Sequence, residues 1–355
     1  MKKKILSILL VSSLTMSLAT SVFAADTPTL GYKWSSKNIT YQNNGSNTAY
    51  KALWTTGAKE WNDATVVNFS SGTNSNFTAG NKTVANVTWD GIMEPVYNTN
   101  KTFKSVKVWV NDFYTSQFEY ISTDNAIQSI ATHELGHALG LAHAPERTLS
   151  VMVPATFLSD GKFARLQYFP GIGDENSVNS IYNNNSLTSE QSVLNHSPNE
   201  NDFVEGKELV NLDVSWSKWY LNLKDLTRDA DLVVKANVTT RNGTVVTGEN
   251  FYDYKQKSEI NIQEVLKGDP TLLNQKVTLY QMGGEDENVV VKYHGTTPLV
   301  ENDSVILYLK KTGDHEYIPI NEDVSIFKVG ANEQLINLQS HKIISESTLI
   351  EESIQ

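Results

Sequence analysis

Three of the chain's seven histidines lie within eleven consecutive residues, His133 to His143, which read HELGHALGLAH. In a helix, positions i and i+4 lie about one turn apart on the same face, so His133 and His137 can direct ring nitrogens at one metal ion. Glu134 projects beside such an ion, where a base can take a proton from an activated water. The residue types and spacing therefore predict a hydrolytic metal site.

The end of this helix supplies a third ligand. Gly140 can adopt a positive φ and end the helix sharply, and the chain then turns back so that His143 can offer another ring nitrogen. Three protein ligands leave the fourth position of zinc open, as a catalytic site requires. The alternative is an amphipathic helix that packs three imidazoles together without a metal, which would bury polar groups at a cost. We therefore predict one catalytic Zn²⁺.

The surrounding sequence predicts the elements that must hold these residues. Apolar residues recur at helical spacing from Ala126 to Leu139, and Ser122, Thr123 and Asp124 before them are candidate N-caps. Two further helices are predicted over residues 48–65 and 174–182. Alternating apolar and polar residues predict strands over 37–42, 84–89 and 104–110.

HELGHALGLAH fits the HExxHxxGxxH signature and so resembles the metzincin metalloproteases. The order of the flanking elements is most similar to that of the matrixin-type enzymes, over about residues 31–185. The resemblance implies a methionine in a tight turn beneath the metal. The segment SVMVPA, residues 150–155, offers Met152 with Pro154 for this turn. The family function implied is a zinc endopeptidase with Glu134 as general base and a protein or peptide as substrate.

The resemblance also implies where a substrate would bind. An extended peptide would pair with the edge strand of the sheet, for which residues 104–110 are the candidate, and residues 154–170 would form the wall of the pocket. That wall reads PATFLSDGKFARLQYFP and is mostly apolar and aromatic, which favours an apolar substrate side chain.

Regulation and further ions are less defined by the sequence. Many relatives are held latent by a propeptide cysteine, but this chain has no cysteine. We therefore expect activity once the chain is folded, or control by a separate inhibitor. Family members often bind Ca²⁺ in loops, but isolated aspartates in turns are usually turn formers. The sequence identifies no calcium ligand among the four candidates, Asp90, Asp112, Asp160 and Asp174.

The first 25 residues predict export. Lys2 to Lys4 precede an apolar run, and small residues follow at Val22 and Ala24, as in a secretory signal peptide. The alternative, a retained membrane anchor, is disfavoured because the apolar run is short for a span. A formal net charge of −11 makes nucleic acid or an anionic membrane a poor partner. We expect a secreted protein with no membrane contact after cleavage.

The second half of the chain has a different sequence pattern, with short apolar runs typical of strands. We expect a signal peptide at 1–25, a protease domain at 26–185, a polar linker at 186–210, a β-rich accessory domain at 211–340 and a tail at 341–355. The overall class is α+β: a twisted mixed sheet with three helices, then a small all-β barrel or sandwich. The strands predicted in the second half are 232–238, 258–265, 276–281, 289–293 and 304–309.

The role of the accessory domain stays open between binding a substrate or cell surface and inhibiting the catalytic half. His294, His315 and His341 match no metal spacing and are predicted to be surface residues. The alternative function for the whole chain is a secreted binding or adhesion protein whose metal-stabilised N-terminal domain is not proteolytic. Glu134 argues against this alternative, because a structural ion would need the ligands alone.

Overall fold

The computed structural model describes residues 25–73, 75–183, 204–330 and 333–354. The predicted signal peptide and most of the predicted linker lie outside these residues. Within them, no helix combines the length and the apolar character needed to cross a membrane.

The first half of the chain contains strands and helices in a mixed order. Its strands are β1 (Asn38–Asn44), β2 (Asn68–Ser71), β3 (Phe77–Lys82), β4 (Trp89–Tyr97), β5 (Phe103–Asn111) and β6 (Ala155–Leu158). Its helices are α1 (Thr48–Ala64), the short α2 (Asp112–Thr115) and α3 (Phe118–Ser122), α4 (Ala126–Ala138) and α5 (Ile172–Asn183). The helices predicted over 48–65, 126–139 and 174–182 are thus present.

After the connection the chain is mostly β. The strands are β7 (Glu208–Trp219), β8 (Leu232–Val246), β9 (Tyr254–Lys267), β10 (Lys276–Met282), β11 (Gly284–Glu285), β12 (Val289–Tyr293), β13 (Ser304–Gly313), β14 (Glu316–Pro319), β15 (Ile326–Val329), β16 (Leu335–Asn337) and β17 (Ile343–Ile344). Two helices accompany them, α6 (Leu223–Asp229) and α7 (Glu346–Ile354). The predicted tail therefore contains β17 and α7.

Helix α4 is held by helix α1 across a close contact. A Cβ atom at Gly57 of α1 would lie 3.1 Å from Leu135 Cδ1 and 3.2 Å from Thr132 Oγ1, so the glycine permits this approach. The indole Nε1 of Trp61 donates to the carbonyl of Thr132 at 2.9 Å. Both tryptophans of α1, Trp54 and Trp61, are fully buried. This packing fixes the helix that carries the histidines.

One large sheet runs beneath these helices in the order β11-β12-β7-β4-β5-β3-β1-β2, with β6 also paired to β7. It is mixed: β1, β2, β3 and β5 are mutually parallel, while β4 runs antiparallel to β5. Two sequence predictions fail here. The strand predicted over 84–89 begins only at Trp89. The segment 104–110, predicted as the edge, is β5 and lies between β3 and β4.

The outer edge of the first-half strands is β4, and it is covered by a strand from the second half of the chain. Strand β7 pairs antiparallel with β4, with Ile92 opposite Val214 and Met93 opposite Asp213. Strand β12 then pairs parallel with β7. The backbone donors and acceptors of β4 are satisfied in this way. The sheet of the protease half therefore continues across the boundary predicted near residue 210.

The remaining strands of the second half form their own sheet. Its order is β14-β10-β9-β8-β13-β15-β16-β17, and β14 also pairs with β13. Alternate residues of β13 face different neighbours, as strand geometry requires. Val305, Leu307 and Leu309 lie in one apolar cluster, whereas Ile306 and Tyr308 pack with Leu226 of α6 and with Leu349 of α7. The second half is thus β-rich, as predicted.

Candidate metal centre

The three predicted histidines converge at the end of α4. One ring nitrogen from each of His133, His137 and His143 lies within 4.8 Å of the others. The ring centroids are 4.5 Å apart for His133 and His137 and 4.8 Å apart for His137 and His143. His133 and His137 are fully buried, and His143 is partly exposed. The spacing of one helical turn plus a reversal of the chain brings all three together.

Backbone carbonyls orient the two helical imidazoles. Nδ1 of His133 lies 2.8 Å from the carbonyl of Val151, and Nδ1 of His137 lies 2.8 Å from the carbonyl of Leu141. If each Nδ1–H donates to its carbonyl, Nε2 is left with a free lone pair. Both Nε2 atoms are buried and have no hydrogen-bond partner within the described residues. Burial lowers the pKa of both rings, so they are held neutral, as metal ligands must be.

These observations fit a metal. Two orphaned buried nitrogens and a third histidine within reach form a nitrogen donor set suited to zinc, with three protein ligands as in a catalytic site. The same set without an ion would leave polar atoms buried and unsatisfied. Within the described residues, this is the only cluster of three or more histidine, aspartate or glutamate side chains close enough together to hold a metal ion.

Gly140 performs the turn assigned to it. Its φ is +97°, and its amide donates to the carbonyl of His137 at 2.8 Å. A Cβ atom there would lie 2.2 Å from the carbonyl oxygen of Tyr32. The positive φ ends α4, and the contact with Tyr32 leaves no room for a side chain. The chain then reverses and brings His143 back to the ring of His137.

Met152 lies directly under α4. A Cβ atom at Gly136 would be 2.3 Å from Met152 Sδ, so the thioether packs against the helix between the two ligand positions. The turn is held by Asp174 of α5, whose Oδ2 accepts from the amide of Val151 at 3.0 Å and whose Oδ1 accepts from Ser150 Oγ at 2.6 Å. The carbonyl of Val151 contacts Nδ1 of His133, so Asp174 helps to position His133 through Val151.

Glu134 lies on α4 with its carboxylate against β4. A Cβ atom at Gly91 would be 2.4 Å from Glu134 Oε1. Both carboxylate oxygens are buried and lack a hydrogen-bond partner within the described residues. Burial raises the pKa of Glu134 well above its ordinary value, and the nearby Arg165 opposes the rise. An unsatisfied buried carboxylate is what a proton acceptor beside a reacting water requires.

Arg165 is a site residue that the sequence reasoning missed. It is fully buried, and its guanidinium donates to Thr156 Oγ1 at 2.9 Å, to Ser129 Oγ at 3.2 Å and also to Ser215 Oγ. Ser215 Oγ in turn donates to Asp90 Oδ1 at 2.6 Å. Arg165 was overlooked because its neighbours in the segment 154–170 are mostly apolar residues, and the segment was interpreted as an apolar wall. The segment predicted to form the wall of the pocket thus includes a buried arginine.

Two more residues near the histidines come from the second half of the chain. Asp213 of β7 is 1% exposed, and its Oδ1 contacts Nδ1 of His294. Its Oδ2 is buried and has no hydrogen-bond partner within the described residues. The neighbouring His294 lowers the pKa of Asp213 against the opposing effect of burial, and His137 and His143 act in the same direction. His294 is therefore not the isolated surface residue that was predicted.

The remaining predicted residues have other roles. The carbonyl of Pro154 accepts from the amide of Trp216 at 2.8 Å. Asp90 and Asp174 are buried and bonded to protein donors. Asp160 binds Lys162 in an exposed turn, and Asp112 binds Asn81 at the start of α2. The predicted N-caps do not cap α4, because Asn125 precedes the helix in a left-handed conformation with φ 64°.

Residues 33–183 match the family model described as matrixin, Peptidase M10. The comparison with curated proteins gave no match.

Two solved structures are similar at low identity. One is the high choriolytic enzyme 1, a hatching enzyme zinc-protease from the medaka fish Oryzias latipes, at 13% identity and a TM-score of 0.28, covering 43% of this chain and 94% of that chain. The other is the GM1-bound form of the ECX AB5 holotoxin, at 12% identity and a TM-score of 0.27, covering 41% of this chain and 80% of that chain. From the family match and the three converging histidines, residues 33–183 are a matrixin-like metzincin domain of the zinc metalloprotease type.

Proposed function

We propose that this protein is a secreted zinc endopeptidase in which Glu134 is the general base. The observation that carries the proposal is the buried carboxylate of Glu134 on the same helix as two buried imidazole Nε2 atoms, none of which has a hydrogen-bond partner within the described residues. Secretion rests on the basic and apolar character of residues 1–25. The binding-protein alternative is disfavoured because it gives no reason for a carboxylate to be kept unpaired there.

His133, His137 and His143 would hold the zinc ion. When bound, zinc supplies a Lewis acid that polarises the scissile carbonyl and makes water more acidic. The Glu134 carboxylate then takes one proton from the attacking water as its oxygen bonds to the carbonyl carbon. The peptide C–N bond breaks, and the same proton passes from Glu134 to the leaving nitrogen. The products are a carboxylic acid and an amine, so that one water is consumed for each bond cleaved.

The surrounding residues hold the reacting side chains in position. The carbonyls of Val151 and Leu141 hold the rings of His133 and His137, and Gly91 leaves the space that the Glu134 carboxylate occupies. Burial raises the pKa of Glu134, and Arg165 places a positive charge close enough to oppose that rise, which favours the ionised form needed in a base.

We further infer that the second half of the chain includes a small barrel. Strands β8, β9, β10, β14 and β13 pair in sequence, and β13 pairs back to β8. Their inward-facing apolar residues form one cluster. A closed ring of pairings with a filled interior is the arrangement of a small barrel.

The test is cleavage of unfolded casein by the zinc-loaded full chain. We expect cleavage to disappear with a zinc chelator, to return on adding zinc, and to be lost in Glu134→Gln. The matched control is Glu146→Gln, which makes the same chemical change at an exposed position close by in sequence. Cleavage that survives in Glu134→Gln, or that ignores the chelator, would remove Glu134 or the metal from the reaction.

A further inference from the structure

Strand β7 lies in a groove with a strand on either side. It pairs antiparallel with β4 from Val210 to Trp216, and from Trp216 to Trp219 it pairs parallel with β6, so its backbone enters the space between these two strands at Trp216. The amide of Trp216 donates to the carbonyl of Pro154 at 2.8 Å, and the amide of Ser217 donates to the carbonyl of Thr88 at 3.0 Å. Strand β4 borders Glu134, and β6 begins directly after Pro154. The family resemblance implies that an extended substrate pairs with the sheet edge beside the wall at 154–170; because residues 104–110 are not that edge, β4 is the strand of the first half that could take this place.

The side chains of β7 alternate towards and away from the metal centre. In an antiparallel pair, directly opposed residues face the same side of the sheet. Asp213 is opposite Met93 and Ser215 is opposite Gly91, whose missing Cβ faces Glu134 of α4. Asp213 and Ser215 therefore face α4. Val214 is opposite Ile92 and packs with it on the other face of the sheet.

Ser215 and Asp213 are both held on the side facing α4. Ser215 Oγ accepts from the guanidinium of Arg165 and donates to Asp90, so a small hydroxyl side chain fits between buried opposite charges. One carboxylate oxygen of Asp213 contacts His294, and the other is buried and has no hydrogen-bond partner in the part of the chain that the structure describes. A buried unpartnered carboxylate is costly unless a cation lies nearby. Asp213 thus adds a negative charge close to the three histidines.

We propose that β7 is an internal ligand of the peptide-binding cleft: residues 211–217 occupy the place of a substrate, with Asp213 beside the zinc position and Ser215 in the pocket of Arg165 and Asp90. The described conformation is then the closed form of the enzyme. The proposal rests on the proposed function for the identity of the cleft. It goes beyond that function by naming what fills the cleft and which contacts must break before a substrate enters.

Closure by a tethered strand is effective because it does not depend on protein concentration. A segment of the same chain competes at an effective concentration in the millimolar range. An external peptide must displace the backbone hydrogen bonds to β4 and β6, the Asp213–His294 contact and the Ser215–Arg165 contact. A substrate with a small hydroxyl side chain is best suited to replace the Ser215–Arg165 contact, because its hydroxyl can bond to both Arg165 and Asp90. This form of closure requires no cysteine, and the chain has none.

The first test measures access to the cleft without using hydrolysis. The probe is a fluorescent peptide hydroxamate, which chelates zinc and lies in the cleft, and its binding to the zinc-loaded full chain is followed by anisotropy. We expect Asp213→Asn to bind the probe at least ten-fold more tightly than the wild type, because the Asp213–His294 contact is lost. Asp314→Asn, an exposed aspartate beyond β13, is the matched control and should bind like the wild type. Equal probe affinity in Asp213→Asn and wild type would overturn the proposal.

A second measurement needs no substitution. Hydrogen exchange of the zinc-loaded wild type is compared with and without saturating hydroxamate probe. We expect amides of residues 211–217 to lose protection when the probe binds, because β7 must leave the cleft, while β10 stays protected. A probe that binds while β7 keeps its protection would show that the cleft is free, and the proposal would be wrong.

The two proposals fail differently. If Asp213→Asn admits the probe but neither protein cleaves casein, the internal ligand stands and the endopeptidase proposal falls. If the wild type cleaves casein as fast as Asp213→Asn does, the endopeptidase proposal stands and the internal ligand falls. If both hold, Asp213→Asn cleaves casein at least ten-fold faster than the wild type.

Discussion

Gly91 and Glu134 are in contact across the gap between β4 and α4. The space that a Cβ atom would fill at Gly91 is taken by the Glu134 carboxylate, since that atom would lie 2.4 Å from Oε1. The Glu134 carboxylate is thus positioned by the absence of a side chain on the neighbouring strand. This relation is invisible in the sequence, where the two residues are 43 positions apart.

Gly91→Ala should move the carboxylate of Glu134 and slow catalysis. We expect kcat/KM for peptide cleavage to fall by about a hundred-fold, as for other small misplacements of catalytic groups. The measurement is made in the Asp213→Asn background, where the cleft is open. Gly80→Ala is the control, because its Cβ would also overpack, at 2.7 Å from Trp109, but away from Glu134. Equal losses in both variants would assign the effect to folding.

Removing zinc should lower the stability of the fold as well as activity. A ligand at a thousand times its dissociation constant stabilises the native state by about 4 kcal/mol. We expect the chelated protein to melt several degrees below the zinc-loaded one in differential scanning fluorimetry. His137→Asn should abolish this zinc-dependent difference, whereas His341→Asn, at an exposed position, should keep it. A zinc effect that persists in His137→Asn would place the ion elsewhere.

Asp174→Asn should loosen the turn that carries Met152. Oδ2 of Asp174 accepts from the amides of Gly171 and Val151, and an amide nitrogen in its place could not accept from them. We expect a loss of about 2–4 kcal/mol in the free energy of unfolding by urea. Zinc affinity should fall too, because the carbonyl of Val151 orients His133. Asp160→Asn, in an exposed turn, is the control and should change neither the free energy of unfolding nor the zinc affinity. Unchanged zinc affinity in Asp174→Asn would show that the turn does not affect metal binding.

Glu94 should make stability fall as pH rises through the weakly acidic range. Burial raises the pKa of this carboxyl to about 7 in the folded chain, although Lys107 lowers it. Between its ordinary pKa of 4.5 and about 7, the folded state keeps a proton that the unfolded state has released. The stabilisation is therefore fully present below pH 4.5 and is lost by about pH 7. A shift of this size corresponds to about 3 kcal/mol.

The check is urea unfolding from pH 4.5 to 8 for the wild type and Glu94→Gln. The difference between their free energies of unfolding should change across this range and be constant above it. Glu249→Gln, at an exposed position, serves as the control. A difference that stays flat from pH 4.5 to 7 would mean that Glu94 ionises normally.

Local features of the sequence were sufficient to predict α4 and the convergence of its histidines with His143. The turn of a helix fixes the relation of His133 to His137, and Gly140 fixes the reversal that returns His143. The Met152 turn followed from a family resemblance over a short stretch. Each of these features depends on neighbours within about twenty residues, so a local reading of the sequence can reach it.

Long-range strand pairing could not be predicted in the same way. Nothing local distinguishes β7, whose segment ELVNLDVSWSKW alternates weakly, as a partner of β4 more than a hundred residues earlier. Asp213 and His294 were missed for that reason, since only the pairing of β7 with β4 and β12 brings them to the histidines. The expected edge at 104–110 was wrong because β4, with Pro95 and Gly91, looks less like a strand than β5 does.

The pairing of β7 with β4 also determines which edges the large sheet exposes. Its outer strands are β2 and β6, with four residues each, and β11, with two, and such short edges are poor templates for another chain. Displacing β7 would expose the backbone of β4, nine residues that are all buried in the closed form. An opened molecule would then present a long, apolar strand edge to its neighbours. Aggregation of the open form would therefore compete with turnover, and the activated enzyme would have a limited lifetime.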